Sequence, residues 1–465
     1  MQFAERAQKR TLAKSALCPA NNLGETVHSR TTQRFIIYYT TEGVHAATTV
    51  FIDSLAKYLE DAYDLHKNVL GMKGIYGTTQ TQHYNQRPPL GFYPVEVIDT
   101  GLLRGEEGED ATFGLTIIPN KNSPKLTQIA IENDFLSGAD CSGNPSTEPF
   151  RRYDGLNYSA ANNWHLALKA TVYHELYHSF QIPYLNSHDL SSHKFWLEAS
   201  ATGVEEISAP EVNDYIGYLF NSRIFNNPGK SMESLSSSEW YAYSVLYLFL
   251  YHELGELFDS AIWSYFSKYP KENFPMQLAR LADSLSRNPE ELFHKYASRI
   301  FFSGSRARFS EQLFSEDMQN WPSWRIKTTT VPSVFPVGAI DFIRTANGEE
   351  PNTEGAMISL LNYGDSTVWV LSRLLEEEFT PPPPPPKKFI AYNNPWNPKN
   401  PLRFGPLPEN SKGVEIRSAN GILLKRLEGK PGEELIWQPE NLPKSGILFY
   451  RPFPYGEGNK LIVAH

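Results

Sequence analysis

The sequence predicts an α+β protein in which a domain of mixed strands and helices is followed by β-sandwich modules. Apolar residues between positions 161 and 300 recur mainly at helical spacing, whereas shorter alternating segments before and after them are typical of strands. A run of six prolines at 381–386 separates residues 387–465 from the rest of the chain. The length of 465 residues suggests about three domains.

The first domain is expected to cover residues 32–330, after a polar and basic N-terminal extension of residues 1–31. Arg34–Tyr39 is predicted to form a strand, and the helix that follows is predicted to end at Gly71. Further strands of this domain are predicted at Pro94–Ile98, Phe113–Pro119 and Thr127–Ile131.

Two local patterns in this domain lead to more specific expectations. The segment Thr127–Phe135 is predicted to be an edge strand, whose backbone groups hold an extended peptide by β-augmentation. The pair Asn288-Pro289, followed by two glutamates, predicts the start of a helix. Asn is a good N-cap, Pro suits the first turn, and carboxylates favour the positive end of the helix dipole.

The rest of the chain is predicted to be rich in strands. Residues 331–380 form a β-rich region, and the prolines at 381–386 form a stiff polyproline II linker. Residues 387–465 are predicted to form a small antiparallel sandwich. Within it, Asn420-Gly421 lies between two alternating segments and is typical of a hairpin turn.

Composition excludes several classes of protein. The net charge of −9 argues against a nucleic-acid partner, and no apolar stretch is long enough for a transmembrane segment. The N-terminal residues lack the apolar region of a signal peptide. Two cysteines, Cys18 and Cys141, allow at most one disulfide and no cysteine-based zinc site. The charge is uneven, since residues 387–465 carry +5 and the remainder carries −14.

The motif that predicts chemistry is H-E-x-x-H at His174, Glu175 and His178. Two histidines four residues apart stand on one helix face and can share a zinc ion, while the glutamate between them reaches a metal-bound water. A zinc hydrolase needs a third protein ligand. Glu198 is the candidate, because small residues follow it and would let its helix approach the first one closely.

The motif and the later glutamate, in the run Trp196-Leu-Glu-Ala-Ser-Ala-Thr202, resemble the gluzincin clan of zinc metallopeptidases, the thermolysin-like group. The wider sequence resembles a family described as secreted bacterial metalloproteases. The resemblance covers most of residues 32–330 and implies a zincin-type catalytic domain, in which a mixed sheet packs against a helix bundle. It implies that zinc is held by His174, His178 and Glu198, and that Glu175 is the general base.

The resemblance also raises two questions about supporting residues. Thermolysin-like enzymes have an aspartate four residues after the glutamate ligand, bonded to a ligand histidine, and Thr202 occupies that position here. Glu205 or Glu206 is the candidate replacement in the second shell of the metal. Tyr243 is the candidate for the donor that stabilises the oxyanion, with a purely structural role in the core as the alternative.

The C-terminal module resembles the sorting domains of proteins exported by type IX secretion, on the strength of runs such as Tyr392–Pro398 and Leu442–Gly446. That resemblance implies an Ig-like sandwich, possible contact with the secretion machinery through residues 387–465, and a secreted or cell-surface location. The absence of a visible signal peptide counts against this expectation.

These observations together predict zinc-dependent hydrolysis of peptide bonds in a peptide or protein substrate. A surface binding or adhesion protein with a non-catalytic metal site is the alternative from another class. An amidase that acts on a non-protein substrate would share the same site and differ in the shape of its pocket.

Overall fold

The computed structural model divides the chain into two compact units, Met1–Phe379 and Thr380–His465. The β-rich region that follows residue 330 therefore belongs to the same unit as the domain that precedes it. Cys18, Cys141 and the proline linker lie outside the described residues. The structure describes residues 26–100, 113–120, 123–136, 149–185, 193–328, 331–346, 348–377, 379, 389–392, 394–408, 411–439, 446–453 and 459–464.

A mixed five-stranded sheet lies in the first unit, with the strand order β1-β2-β3-β5-β4. The strands β2, β3 and β5 are parallel, while β1 and β4 pair antiparallel at the two sides. Because β1 belongs to this sheet, the domain begins earlier than the expected boundary at residue 32. The strands are β1 (His28–Thr31), β2 (Phe35–Tyr39), β3 (Tyr93–Ile98), β4 (Gly114–Ile117) and β5 (Gln128–Glu132).

The expected edge strand at Thr127–Phe135 is wrong. Its main part is β5, which pairs with β3 on one side and with β4 on the other. Among the described strands, β4 is the outermost on that side of the sheet. Every residue of both strands is buried, so apolar content alone does not distinguish an outer strand from a central one.

Among the described residues, the first unit contains nine α-helices, and one hydrophobic core joins them to the sheet. Eight of them lie within residues 161–300, which confirms the helical prediction for that segment. The helices are α1 (Thr49–Asp64), α2 (Trp164–Gln181), α3 (Lys194–Ser208), α4 (Tyr215–Asn221), α5 (Ser237–Trp240), α6 (Ser244–Leu254), α7 (Phe258–Lys268), α8 (Phe274–Ser284) and α9 (Pro289–Ile300).

Two helix termini follow the sequence closely. α1 continues into a π-helical turn and ends before Gly71, which adopts a positive φ of 70°. Glycine tolerates that conformation without the steric cost that a side chain would bring. α9 begins after Asn288, whose side chain accepts hydrogen bonds from the backbone N–H groups of Glu290 and Glu291. Both predicted helix boundaries are confirmed.

The β-rich region contributes an antiparallel sheet in the order β6-β8-β7, which packs against α9. Its strands are β6 (Ala339–Ile343), β7 (Met357–Tyr363) and β8 (Ser366–Arg373). His294 of α9 lies 2.8 Å from the hydroxyl of Ser372 and 2.7 Å from that of Ser359. Glu290 accepts the backbone N–H groups of the two residues that follow β8, both at 2.8 Å.

The second unit consists of two antiparallel sheets that share one buried core. The sheets have the orders β13-β10-β9 and β12-β11-β14-β15. The predicted hairpin at Asn420-Gly421 is confirmed, since β11 and β12 pair on either side of it. The strands are β9 (Ile390–Ala391), β10 (Leu402–Gly405), β11 (Gly413–Ser418), β12 (Leu423–Glu428), β13 (Leu435–Trp437), β14 (Gly446–Phe453) and β15 (Asn459–Val463). No described helix is both long enough and apolar enough to span a membrane.

Candidate metal centre

Two neighbouring helices, α2 and α3, carry the residues of the H-E-x-x-H motif and the later glutamate. α2 also contacts β4 and β5, which places its motif beside the outer strand of the sheet. Gln181, the last residue of α2, joins the two helices directly. Its Nε2 donates to the backbone carbonyl of Leu197 at 3.1 Å and lies 3.0 Å from the Ser200 hydroxyl. This contact fixes the relative position of the two helices close to Glu198.

The side chains of His174, His178 and Glu198 converge in one buried group that could hold a metal ion. The two Nε2 atoms are 3.0 Å apart, and the Oε2 atom of Glu198 is 3.5 Å from each of them. Ligand atoms around a tetrahedral zinc ion are about 3.3 Å apart, given bonds of about 2.0–2.1 Å. The arrangement therefore fits an ion of that size, although it does not identify the metal.

A second observation on the same atoms supports the fit. Oε2 of Glu198 is buried and makes no hydrogen bond with any described residue. A buried carboxylate oxygen without a partner costs free energy. A cation bound between this oxygen and the two imidazoles would remove that cost.

The other nitrogen of each histidine ring has a partner of its own. Nδ1 of His174 contacts Oε1 of Glu205, and Nδ1 of His178 lies 2.7 Å from Oε1 of Gln181. Metal-binding histidines in proteins commonly donate their second ring N–H to such oxygen atoms, which fixes the tautomer and the ring orientation. With Nδ1 of each ring facing its own oxygen partner, both rings turn Nε2 toward Glu198.

The charges around the site favour a cation at its centre. Burial alone would lower the pKa of His174, but the carboxylates of Glu205 and Glu198 raise it well above the usual value. Burial would raise the pKa of Glu198, but the two histidines hold it at about 2.

Glu175 lies next to this group and is 5% exposed. The hydroxyl of Thr116, on β4, lies 2.8 Å from Oε2 of Glu175 and 2.7 Å from its backbone carbonyl oxygen. Gly114, at the start of β4, lies against the same side chain. A Cβ at that position would approach Cγ of Glu175 and Cγ2 of Thr171 to 2.7 Å each. β4 therefore fixes the position of Glu175 in two ways. The hydroxyl of Thr116 contacts the carboxylate, and Gly114 leaves room for the side chain because it has no Cβ.

A cleft opens beside His174 and Glu175, with a volume of about 560 Å³ that includes space open to solvent. Its lining comes from the start of β4, one face of α2, and the segments around α3, α4 and α5. The lining residues are Phe113, Gly114, Ala167, Ala170, Thr171, His174, Glu175, Glu205, Asp214, Tyr218 and Tyr241.

The structure does not bring Tyr243 to this cleft. Tyr243 is 3% exposed, packs edge-to-face on Phe195, and lines a separate small cavity. Tyr241 lines the cleft instead, and its ring is nearly parallel to that of His174, with centroids 6.3 Å apart. For Tyr243, the alternative of a structural core tyrosine agrees with this position.

The five other predicted residues lie together at the site, namely His174, Glu175, His178, Glu198 and Glu205. Sequence reasoning missed Gln181 and Thr116. Gln181 could have been found, since it follows His178 by three residues and so lies close to it on the helix. Thr116 could not have been found in this way, because it belongs to a strand that is distant in sequence.

No protein-family model and no curated protein matches the chain.

Proposed function

We propose that this protein is a zinc-dependent hydrolase of peptide bonds. The observation that carries the proposal is the convergence of His174, His178 and Glu198, with Glu175 beside them in an open cleft. A binding protein with a structural metal site has no use for Glu175 in that position. Structural zinc sites have four protein ligands, whereas catalytic sites have three and leave one position open.

Three residues of the chain would have separate roles in such a reaction. Zinc, when bound, would supply a Lewis acid that activates a water and polarises a carbonyl group. Glu175 would accept a proton at a carboxylate oxygen and later deliver it to the leaving amine. Thr116 would hold the carboxylate of Glu175 in place for both transfers. Tyr241 replaces Tyr243 as the candidate donor to the oxyanion, since it lines the cleft.

The finer fold assignments belong to the same proposal. The sheet and helices of the first unit support a zincin-type domain, and the two sheets of the second unit support an Ig-like β-sandwich. The resemblance of that sandwich to type IX sorting domains supports export, with a secreted or cell-surface location and contact with the secretion machinery. Accumulation of the full chain outside the cells of its source, lost on deletion of residues 387–465, would test the export proposal.

The test of the hydrolase is the substitution Glu175→Gln in the full chain. The variant is expected to retain zinc, measured by elemental analysis, and to lose hydrolysis of a diverse peptide library by about 10²- to 10⁴-fold. Glu206→Gln is the matched control, because Glu206 is a buried carboxyl of α3 outside the described cleft lining. It is expected to retain both zinc and activity.

Two other results would change the conclusion. Wild-type protein that binds no zinc would end the zinc hydrolase proposal. Wild-type protein that binds zinc but cleaves no peptide of the library would favour the alternatives, a binding protein or an amidase with a non-protein substrate.

A further inference from the structure

The outer face of the four-stranded sheet in the second unit combines exposed apolar side chains with basic ones. Alternate residues of these strands point away from the buried core, and the register of the strands brings them into rows. In one row, Arg417 of β11 lies opposite Phe449 of β14, which lies opposite Lys460 of β15. Beside it, Ile447 of β14 lies opposite Ile462 of β15. Basic and apolar groups are therefore neighbours on one surface.

The apolar side chains of this face are open to solvent. Outward positions in the strands of a sandwich are usually polar, because only the inward positions pack against the other sheet. Here four outward side chains are apolar and 40–44% exposed, namely Leu423, Ile447, Phe449 and Ile462. Single exposed apolar residues are common, whereas apolar residues that adjoin one another on a surface mark an interaction site.

The same face has more positive than negative charges. Glu415 of β11 forms ion pairs with three arginines, namely Arg417, Arg426 and Arg451. The side chain of Glu415 is only 3% exposed, whereas each of the arginine side chains is at least 36% exposed. One covered carboxylate therefore faces three guanidinium groups that remain at the surface. Lys460 and Glu428 add one charge of each sign, so the described residues of the face carry a net charge of about +2.

The size of the face favours a lipid surface over a protein partner. Strands lie about 4.8 Å apart and rise about 3.4 Å per residue, so four strands with the six residues of β11 cover about 300 Å². A stable protein interface buries about 800 Å² on each partner, which is more than twice this area. A membrane surface sets no such minimum, because apolar side chains enter its interfacial layer while basic side chains reach the phosphate groups.

Nucleic acid fits the face less well than lipid does. Proteins that bind single strands stack the bases on aromatic side chains, in a groove of positive charge. Of the four exposed apolar side chains on this face, only Phe449 has a ring. The aliphatic side chains would gain nothing from contact with bases, whereas they would all gain from contact with acyl chains.

We propose that the outer face of the sheet β12-β11-β14-β15 binds the surface of an anionic lipid membrane. Phe449 and its aliphatic neighbours enter the interfacial layer, and the arginines and Lys460 contact the phosphate groups of the lipids. The proposal goes beyond the hydrolase function and does not depend on it, since every residue of this face belongs to the second unit. Such binding would hold the chain on a membrane without any segment that crosses it.

The test is cosedimentation of the full chain with lipid vesicles. Vesicles made of equal parts of phosphatidylglycerol and phosphatidylcholine are compared with vesicles of phosphatidylcholine alone. The apparent affinity for the anionic vesicles is expected to be at least about tenfold higher, and to fall as the salt concentration rises, because exposed charges are screened. Equal binding to both kinds of vesicle, or binding to neither, would overturn the proposal.

Two substitutions separate the contribution of charge from that of apolar contact. Lys460→Glu is expected to lower the affinity for anionic vesicles by about tenfold or more, because an attractive charge becomes repulsive. Phe449→Ser is expected to lower it by about tenfold, because no ring then enters the interfacial layer. Phe449→Leu retains an apolar side chain and is expected to bind nearly as well as the wild type, which separates loss of apolar contact from damage to the fold.

The other sheet of the second unit supplies matched controls. Arg403 of β10 and Ile436 of β13 are exposed and lie opposite each other on that sheet. Arg403→Glu changes the charge of the chain as much as Lys460→Glu does, and Ile436→Ser removes an exposed apolar side chain. Both variants are expected to bind anionic vesicles as the wild type does. A loss equal to that of the variants at Lys460 and Phe449 would overturn the assignment to this face.

An acidic protein as the partner is the other outcome that the test distinguishes. The probe is a resin that carries immobilised polyglutamate, and the full chain is compared with the Lys460→Glu variant. Retention of the wild type on this resin, lost in the variant and accompanied by no binding to anionic vesicles, would assign the face to an acidic protein. That result would overturn the membrane proposal.

Discussion

Glu205 contacts Nδ1 of His174, on the opposite side of the imidazole from the Nε2 atom that faces Glu198. The ring is thereby held between two carboxylates of the same helix, which are seven residues apart on α3. Thr202, the position at which the sequence resemblance leads one to expect a supporting aspartate, is one turn closer to Glu198. The carboxylate that contacts the histidine comes from Glu205 instead.

This contact predicts that Glu205 contributes to metal affinity. Glu205→Ala is expected to weaken zinc binding by about 10- to 100-fold, because the orientation and basicity of His174 are no longer supported. Glu205→Gln retains an acceptor oxygen and is expected to have an intermediate affinity. Competition with a chromogenic chelator measures both constants. Affinities equal to that of the wild type would show that the contact does not act on the metal.

Gln181 is predicted to stabilise the pair of helices as well as the site. Gln181→Leu removes the acceptor for His178 and leaves the Leu197 carbonyl without its side-chain donor. A loss of about 1–3 kcal/mol in the free energy of unfolding is expected, as is usual for buried polar groups that lose a partner. Urea unfolding in the presence of a chelator measures this loss in the free energy of unfolding without any contribution from metal. An unchanged midpoint would contradict the prediction.

Gly114→Ala is predicted to impair catalysis with little effect on metal content. The added Cβ would overlap the side chain of Glu175, which must then leave its place beside Thr116. We expect kcat to fall by about 100-fold, within the range assigned to general bases, while elemental analysis still finds zinc. Gly74→Ala is the control, since a Cβ there meets nothing within 4 Å. Equal activity of the two variants would refute this role of Gly114.

Glu206 is predicted to make stability depend on pH. Burial, followed by the charge of Asp317, raises the pKa of Glu206 to about 9. The unfolded chain releases this proton near pH 4.5, so the contribution to stability is complete below that pH. It is lost as the pH rises toward 9, at about 1.4 kcal/mol for each pH unit.

Glu206→Gln removes this titration and is expected to raise stability at neutral pH. Urea unfolding of the wild type and the variant at several pH values between 4 and 9 checks the prediction. The difference between the two curves should grow with pH. A constant difference would show that Glu206 does not titrate in this window.

The sequence was sufficient to predict the parts of the site that depend on helical spacing. His174, Glu175 and His178 lie within one turn and a half of α2, and Glu198 and Glu205 share one face of α3. The relative positions of these side chains on each helix follow from the helix repeat once the helices are recognised. The caps and turns at Asn288 and Gly421 were predictable for the same reason, since local conformation selects these residue types.

The parts that depend on tertiary packing were not predictable. Tyr241 and Tyr243 are two residues apart in a single 3₁₀ turn, and only the path of the chain between α5 and α6 decides which one faces the cleft. The order of β4 and β5 depends on strand pairing, because both strands are buried throughout. Thr116 and Asp214 reach the site from separate elements, and nothing near them in sequence points to it.

The division of the candidate metal ligands between α2 and α3 would have a consequence for the lifetime of the protein when an ion is bound. An ion bound there is a crosslink between two helices of the core, and its binding free energy adds to the free energy of unfolding. A free zinc concentration about 100 times the dissociation constant would add about 2.7 kcal/mol. Resistance to heat and to foreign proteases would then increase with the zinc concentration of the surroundings. When zinc is scarce, the protein would be lost through unfolding and degradation as well as being inactive.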